Sequence, residues 1–446
     1  MTERAAPRPP RPEEPAELSV EDAEDALLEG DRTFAPGTAR AALAYPTFRT
    51  VYIGSLLSNI GSWMQNVVLG AFALDLTGSS TYVSWIAFAQ LGPLLLFSLA
   101  GGALADIIDR KRLLVMVSWQ QLLFSLVLAW LARGSDPSLS GLVLVTFVIG
   151  VGQAVYAPTY SALLPLLVRR QDLPGAVSLN SASMNLSRVV GPAIGALVYA
   201  RVGASWVFVG NAVTYLFIIG ALQLVRLPPA TPRAAGEPTG LRRIGEGIQV
   251  ARRDRVVGRC LATMALFSFF CLPFVVHIQR LAADSFGIAP RSGAFGVLYA
   301  CFGLGAVIGA LSIGTFLAGR SLEVIVRIGL GGFAVSLCAF GLLRDPAPAY
   351  PVALIVGFCY FATVTSLSTV LQNRLDDRVR GRVMALWIMA FGGTVPIGGL
   401  IAGPIIDTTS VTVVVLVGAA TAALLVPFAD LRDPPGHTPT LADQQG

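Results

Sequence analysis

Between about residue 50 and residue 429 the chain is a succession of long apolar blocks separated by short polar interruptions. The blocks fall near 50–74, 82–105, 113–132, 141–164, 176–200, 206–226, 257–280, 293–318, 323–343, 351–371, 382–405 and 411–429. A hydrocarbon core roughly 30 Å thick needs about 20 apolar residues per crossing helix. The pattern therefore predicts an all-α integral membrane protein of twelve transmembrane helices, arranged as two pseudo-symmetric six-helix bundles. Residues 48–226 form the first bundle and 257–429 the second. The link 227–256 carries Pro228, Pro229, Pro232 and Pro238, then Arg242, Arg243, Arg252, Arg253 and Arg255. It reads as a cytoplasmic central loop.

Residues 1–47 hold no apolar run, so they are expected to be a disordered cytoplasmic tail. Residues 430–446 make a second tail at the other end. No secretory signal pattern is visible, and the first membrane helix is expected to serve as an uncleaved insertion signal.

A faint internal repeat supports the division into halves. At an offset of about 207, Gly150 meets Gly357, Ser161 meets Ser368, Leu164 meets Leu371 and Gly191 meets Gly398. The Gly319-Arg320 pair falls roughly where Asp109-Arg110 sits in the first half. Parallel halves related by an axis along the membrane normal are an established transporter architecture.

Composition and charge then narrow the reading. The chain is 54% hydrophobic and 13% charged, about half the charge of an ordinary soluble domain. With both ends placed in the cytoplasm, 19 Arg and Lys residues fall in the inner connections and 5 in the outer ones. That bias sets the orientation, and a cell inner membrane is the expected location. The net charge of +5 thus speaks of topology and not of nucleic acid. Five cysteines sit in apolar blocks without a CxxC pair, and there are two histidines, His277 and His437. No metal, no cofactor and no enzyme activity is expected from such a set. The only lysine, Lys111, lies in no phosphate-binding loop, so this chain is not expected to hydrolyse ATP.

The polar residues inside the blocks carry the candidate chemistry. Arg188 lies about 12 residues into the fifth block, where a charge costs at least about 2.5–3.5 kcal/mol on insertion scales. No Asp or Glu lies at comparable depth. Two readings stand: Arg188 binds an anionic or carbonyl-rich substrate, or carbonyls and Asn or Tyr side chains hold it as scaffold. Asn59, Trp63 and Asn66 share one face of the first block by their spacing, as do Gln153, Tyr156 and Tyr160 in the fourth and Tyr360 and Thr363 in the tenth. Polar faces in lipid are unfavourable, so they should turn inward, to a pathway or to interhelical hydrogen bonds.

The connection after the second block reads Gly102-Ala-Leu-Ala-Asp106-Ile-Ile-Asp109-Arg110-Lys111-Arg112. It resembles the signature loop G-x-x-x-D-R-x-G-R-R of the major facilitator superfamily, with Ile107 and Asp109 departing from the pattern. Arg188-Val-Val-Gly191-Pro192-Ala-Ile-Gly195 resembles the G-P-x-x-G-G element of exporters in that superfamily, with Ala196 in place of the last glycine. Asn59-Ile-Gly61-Ser-Trp63-Met-Gln65-Asn66, running on to Asp75-Leu-Thr77-Gly78-Ser79, is similar to the enterobactin-exporter-like and drug-efflux branch. So are Leu173-Pro-Gly-Ala176-Val-Ser-Leu-Asn180 and Arg380-Gly-Arg382-Val-Met-Ala-Leu386.

The resemblance spans about 48–428 and implies the major facilitator fold, with helices 1, 4, 7 and 10 lining a central pathway. It implies that Gly102, Asp106, Arg110, Lys111 and Arg112 form a conformational latch at the cytoplasmic gate. Gly191, Pro192 and Gly195 would be packing elements of the fifth helix. The expected function is proton-driven efflux of a small amphipathic molecule, a siderophore or a drug, with importer, lipid transporter and receptor as alternatives. Substrate contacts are expected from Asn59, Trp63, Asn66, Gln153, Tyr156, Arg188 and Tyr360. Asp75, at the outer end of the first helix, is the candidate proton-coupling group. The expected partners are a small-molecule substrate, protons and the bilayer, with the chain acting as a monomer.

Overall fold

The computed structural model describes residues 34–134, 136–225, 241–316 and 320–432. The first 33 residues, 226–240, Gly319 and everything after 432 lie outside the described residues, and with them most of both expected tails and part of the central link. Every regular element among the described residues is helical.

The long helices are α1 (Pro46–Thr77), α2 (Ser80–Ile107), α3 (Arg110–Leu131), α4 (Leu139–Leu163), α5 (Leu173–Val202) and α6 (Ala204–Leu224), then α7 (Arg255–Val276), α8 (Gly293–Gly314), α9 (Leu322–Leu342), α10 (Pro346–Arg374), α11 (Val379–Thr408) and α12 (Val411–Phe428). Among the described residues nine are long and apolar enough to cross a membrane. The other three, α1, α2 and α5, have 32, 28 and 30 residues, or more than about 40 Å of helix each.

Packing repeats between the halves. In the first, α1 packs on α5 and α6, α3 on α4 and α6, and α2 on α4. In the second, α7 packs on α11 and α12, α9 on α10 and α12, and α8 on α10. The halves meet along two seams, α2 with α11 and α5 with α8.

The repeat is written in glycines whose lack of a side chain lets a neighbouring backbone close in. A Cβ on Gly150 of α4 would stand 2.6 Å from the Ala89 carbonyl of α2, and one on Gly357 of α10 would run into the Phe302 carbonyl of α8. Likewise a Cβ on Gly191 of α5 would stand 2.7 Å from the Ile60 carbonyl of α1, and one on Gly398 of α11 would run into the Phe269 carbonyl of α7. Two of the four sequence matches are thus the same helix contact made twice. Small residues at such crossings are what lets membrane helices gain van der Waals contact.

Three local features differ from the expectations. Residues 39–44 form a helical turn within the stretch expected to be disordered: Thr38 caps it, and buried Asp172 accepts bonds from Gly37 N (2.9 Å) and the Tyr45 hydroxyl (2.7 Å). The central link holds a helix, Leu241–Arg253, packed on the start of α11 through Gly247. Finally α7 is not one even helix. It widens at Phe267–Cys271, ahead of Pro273, and breaks at His277 before Ile278–Phe286. Proline donates no N–H, so the preceding turn must relax. A second wide turn, Met389–Gly393, interrupts α11.

Candidate substrate site and gate

Arg188 is the 16th residue of the 30 in α5 and Trp63 the 18th of the 32 in α1, while Tyr360 and Phe361 occupy the middle of α10. These helices bring their midpoints to one place. The Arg188 guanidinium lies over the Trp63 ring at 5.2 Å and over the Phe361 ring at 4.9 Å. It therefore bridges the two halves. Tyr299 of α8 and Tyr360 stand within its electrostatic reach. Arg188 Nε is sealed from solvent and has no hydrogen-bond partner among the described residues. An unbonded buried donor costs about 1–3 kcal/mol, on top of the cost of a mid-membrane charge.

The sequence places Gly191 and Gly195 one and two turns beyond Arg188, and they determine how α1 meets α5. A Cβ on Gly191 would stand 2.7 Å from Trp63 Cβ, and one on Gly195 would stand 2.8 Å from Met64 Cγ. The close approach these glycines permit is what presses Trp63 onto the guanidinium. Pro192 is buried on the same helix. Here the exporter-like element of α5 is a packing device that also shapes the site.

Beside this layer is a partly open space of about 160 Å³, lined by Trp63, Asn66, Gln90, Val276, Gln279 and Tyr299 among others. Asn66 Oδ1 accepts a bond from Gln90 Nε2, and Gln279 Nε2 donates to the Val276 carbonyl at 2.8 Å. The space is below the roughly 300–1,000 Å³ of an ordinary ligand pocket. An amphiphile needs more room than this conformation offers there.

The expected contact residues divide accordingly. Trp63, Asn66, Arg188 and Tyr360 come together, and Asn59 lies one turn from Trp63, bonded to Ser55 at 3.4 Å. Tyr156 instead lies in the core of the first half, stacked on Tyr160 at 5.7 Å. Gln153, one turn before it on α4, does not line that space. Phe361, Tyr299, Gln90 and Gln279 went unpredicted. Aromatic residues in an apolar block carry no mark that separates a pathway from lipid, and the glutamines lacked partners at recognisable spacing.

The end of the molecule bearing the α1–α2 turn is closed by contacts between halves. Asp407, near the end of α11, accepts from Ser80 N (2.7 Å), Thr81 N (2.9 Å) and Ser79 Oγ (2.8 Å). A carboxylate from one half thus caps the α2 N-terminus of the other, where unpaired N–H groups and the helix dipole both favour a negative charge. Next to it Ser84 Oγ donates to the Gly399 carbonyl at 2.7 Å and lies 3.2 Å from Nε2 of buried His277. Arg280 reaches the Gly78 carbonyl at 2.8 Å, and Arg291 the Tyr199 carbonyl at 3.2 Å. Asp75 accepts from the Tyr199 hydroxyl at this same end, at an exposed position.

At the opposite end the described polar contacts run within each half. Arg110 reaches the Ala162 carbonyl (3.4 Å) and Lys111 the Val225 carbonyl (2.6 Å), the closing turns of α4 and α6. Arg112 contributes its backbone N–H to Asp109 Oδ1 (2.9 Å). In the second half Arg374 pairs with Asp254 at 2.7 Å. Gly102 and Asp106 lie on α2, and their side chains are outside the described residues.

Known proteins share this architecture. A solved nucleoside transporter, NupG, superposes with a TM-score of 0.72 at 15% identity, over 87% of this chain and 100% of that one. A bacterial homologue of the iron transporter ferroportin, solved in an inward-facing state, gives 0.68 at 15% identity, over 86% and 97%. In sequence the chain is 24% identical to macrolide efflux protein A of Streptococcus pyogenes over 375 residues, 82% of this chain and 90% of that protein. It is 25% identical to the enterobactin exporter EntS of Escherichia coli over 351 residues, 77% and 81% of the two. A family match covering residues 37–434 takes in both halves, the seam and the mid-depth arginine, and the chain belongs to the transmembrane secretion effector family of the major facilitator superfamily.

Proposed function

We propose that this transporter exports a small amphipathic organic molecule by alternating access, driven by proton antiport. The observation that carries the reading is the position of Arg188: a charged group halfway along its helix, its Nε without a partner among the described residues, on the seam between two halves that Asp407 ties together at one end. Rocking of two repeats about a fixed central site is the mechanism such an arrangement serves. The efflux relatives favour the outward direction.

In this reading all twelve long helices cross the inner membrane of the cell, both chain ends are cytoplasmic, and the chain acts as a monomer. The end closed by Asp407 then faces outward, and the conformation is open toward the cytoplasm. The signature loop from Gly102 to Arg112 closes the cytoplasmic side in the opposite conformation, when Arg110 and Lys111 exchange their carbonyl partners for the other half. Asp75 carries the coupling proton, released as the contact with Tyr199 is remade.

The test has two parts. A deletion strain should become more sensitive to at least one toxic compound or retain a secreted metabolite, and lowered uptake of a nutrient instead would reverse the direction. In vesicles of the purified protein, an imposed pH gradient should drive flux, and Asp75→Asn should abolish that flux while leaving substrate exchange. Antiport unchanged in the variant would remove Asp75 from the mechanism.

A further inference from the structure

Resting on the reading of the mid-depth seam as the substrate site, we infer that the transporter selects anionic substrates with a flat aromatic or conjugated body and disfavours cationic amphiphiles. Three features support this. Arg188 has no carboxylate partner among the described residues, and the acidic residues of the long helices all fall at helix ends by sequence. Its demand for an anion is therefore met by none of the described residues. A carboxylate or acidic phenolate oxygen would supply the missing acceptors, and a guanidinium offers them a planar fork of N–H groups.

The second feature decides between the charges. Rings of this kind often cage a ligand cation. Here the faces of Trp63 and Phe361 are already turned to the protein's own cation, at 5.2 and 4.9 Å. An incoming ammonium would find its cage occupied and a like charge a few ångströms away. The third feature is the lining. Trp63 and Tyr299 border the space beside the guanidinium, and aromatic side chains suit a flat ring better than a flexible chain, because stacked and edge-to-face contacts carry a gain beyond area alone. The amides of Asn66, Gln90 and Gln279 in the same lining suit hydroxyl or carbonyl substituents.

The experiment uses the full chain in detergent micelles, with protein-free micelles as blank, and measures binding of three probes by calorimetry: 2-naphthoate, 2-naphthamide and 2-naphthylmethylammonium. All share one ring system and differ in charge. Naphthoate should bind at least tenfold more tightly than the ammonium and severalfold more tightly than the amide. Arg188→Gln should weaken naphthoate at least tenfold and leave the amide within twofold, and Arg188→Lys should restore part of the loss as a point charge. The inference is overturned if the ammonium binds as well as naphthoate, if no probe binds, or if naphthoate is indifferent to Arg188→Gln. Should that variant fail to fold, the ranking of the three probes on the unaltered protein still decides. Export is tested separately: extrusion of cations with no binding of naphthoate would keep the exporter reading and end this one. Naphthoate binding without flux of any compound would do the reverse.

Discussion

The two halves share a helix plan and differ in what fills them. In the first half, α1, α3 and α6 are joined by directional bonds: Asn211 donates to Gln65 Oε1 at 2.9 Å and reaches Ser125 Oγ at 3.4 Å. Tyr215 donates to Gln121 and meets Ser62 at 3.1 Å. In the second half the same place is filled by rings, with Phe333 packed on Phe267 at 4.9 Å and on Phe274 at 6.0 Å. Hydrogen bonds fix register, whereas ring contacts tolerate sliding. The second half also contains both wide turns, in α7 and α11, and wide turns of this kind are frequent at functional sites. The first half thus reads as a stiff frame and the second as the half that deforms when the seam opens.

The shared plan should be the most sensitive to damage. Gly357→Val places side-chain atoms against the Phe302 carbonyl, and Gly150→Val against that of Ala89. A backbone oxygen in a helix cannot step aside, so each should cost about 3 kcal/mol or more, at the upper end of overpacking effects. The check is monodisperse yield and thermal unfolding in detergent. Mild effects at both positions would mean that the crossings are looser than their geometry.

Interior substitutions should then separate the halves. Phe333→Ala removes the centre of the ring cluster and should cost about 2–4 kcal/mol, through the cavity it leaves. Asn211→Ala should cost about 1–2 kcal/mol, since single hydrogen bonds between membrane helices average about 0.6 kcal/mol and this residue makes two across helices. If Asn211→Ala proves the costlier in thermal unfolding, the bonded frame and not the aromatic packing dominates stability, and the comparison inverts.

The plan shared by the halves was legible in the sequence, the contrast between their interiors was not, and the missing part has a physical cause. Apolar block lengths and the 207-residue offset gave the helix plan, because bilayer thickness and close glycine crossings leave periodic marks. Arg188 was legible because a mid-membrane charge is costly. Asp407 was not: a carboxylate at a helix end looks like any loop residue until α2 from the other half is set against it. The shared face of Tyr156 and Tyr160 is real, since the rings stack. Spacing along one helix names the face, and only packing tells which neighbour the face meets.

The clamp joining the stiff half to the soft one should respond to a change of one atom. Asp407→Asn removes the negative charge at the α2 N-terminus and leaves one acceptor for three donors. A cap of this kind is worth about 1 kcal/mol, so the closed end should open about fivefold more often. Labelling of a cysteine introduced at Ser80, which is fully buried at this seal and whose hydroxyl has no partner among the described residues, should speed up accordingly. An unchanged rate would locate the seal at His277 and Ser84 instead.

The smallest effects belong to the anchors at the opposite end. Lys111→Ala frees the Val225 carbonyl in the first half, and Arg374→Gln breaks the pair with Asp254 in the second. Arg374 and Asp254 are each about a quarter exposed, at 25% and 28%, and pairs open to solvent contribute about 0–1 kcal/mol. Each variant should therefore unfold within a few degrees of the parent, and salt should shrink even that difference for Arg374→Gln. The two should also agree with each other, because neither anchor draws on what fills its half. A loss at either position larger than that of Asn211→Ala would show that the ends, and not the interiors, hold the halves in shape. The contrast between a bonded half and an aromatic half would then describe composition without explaining stability.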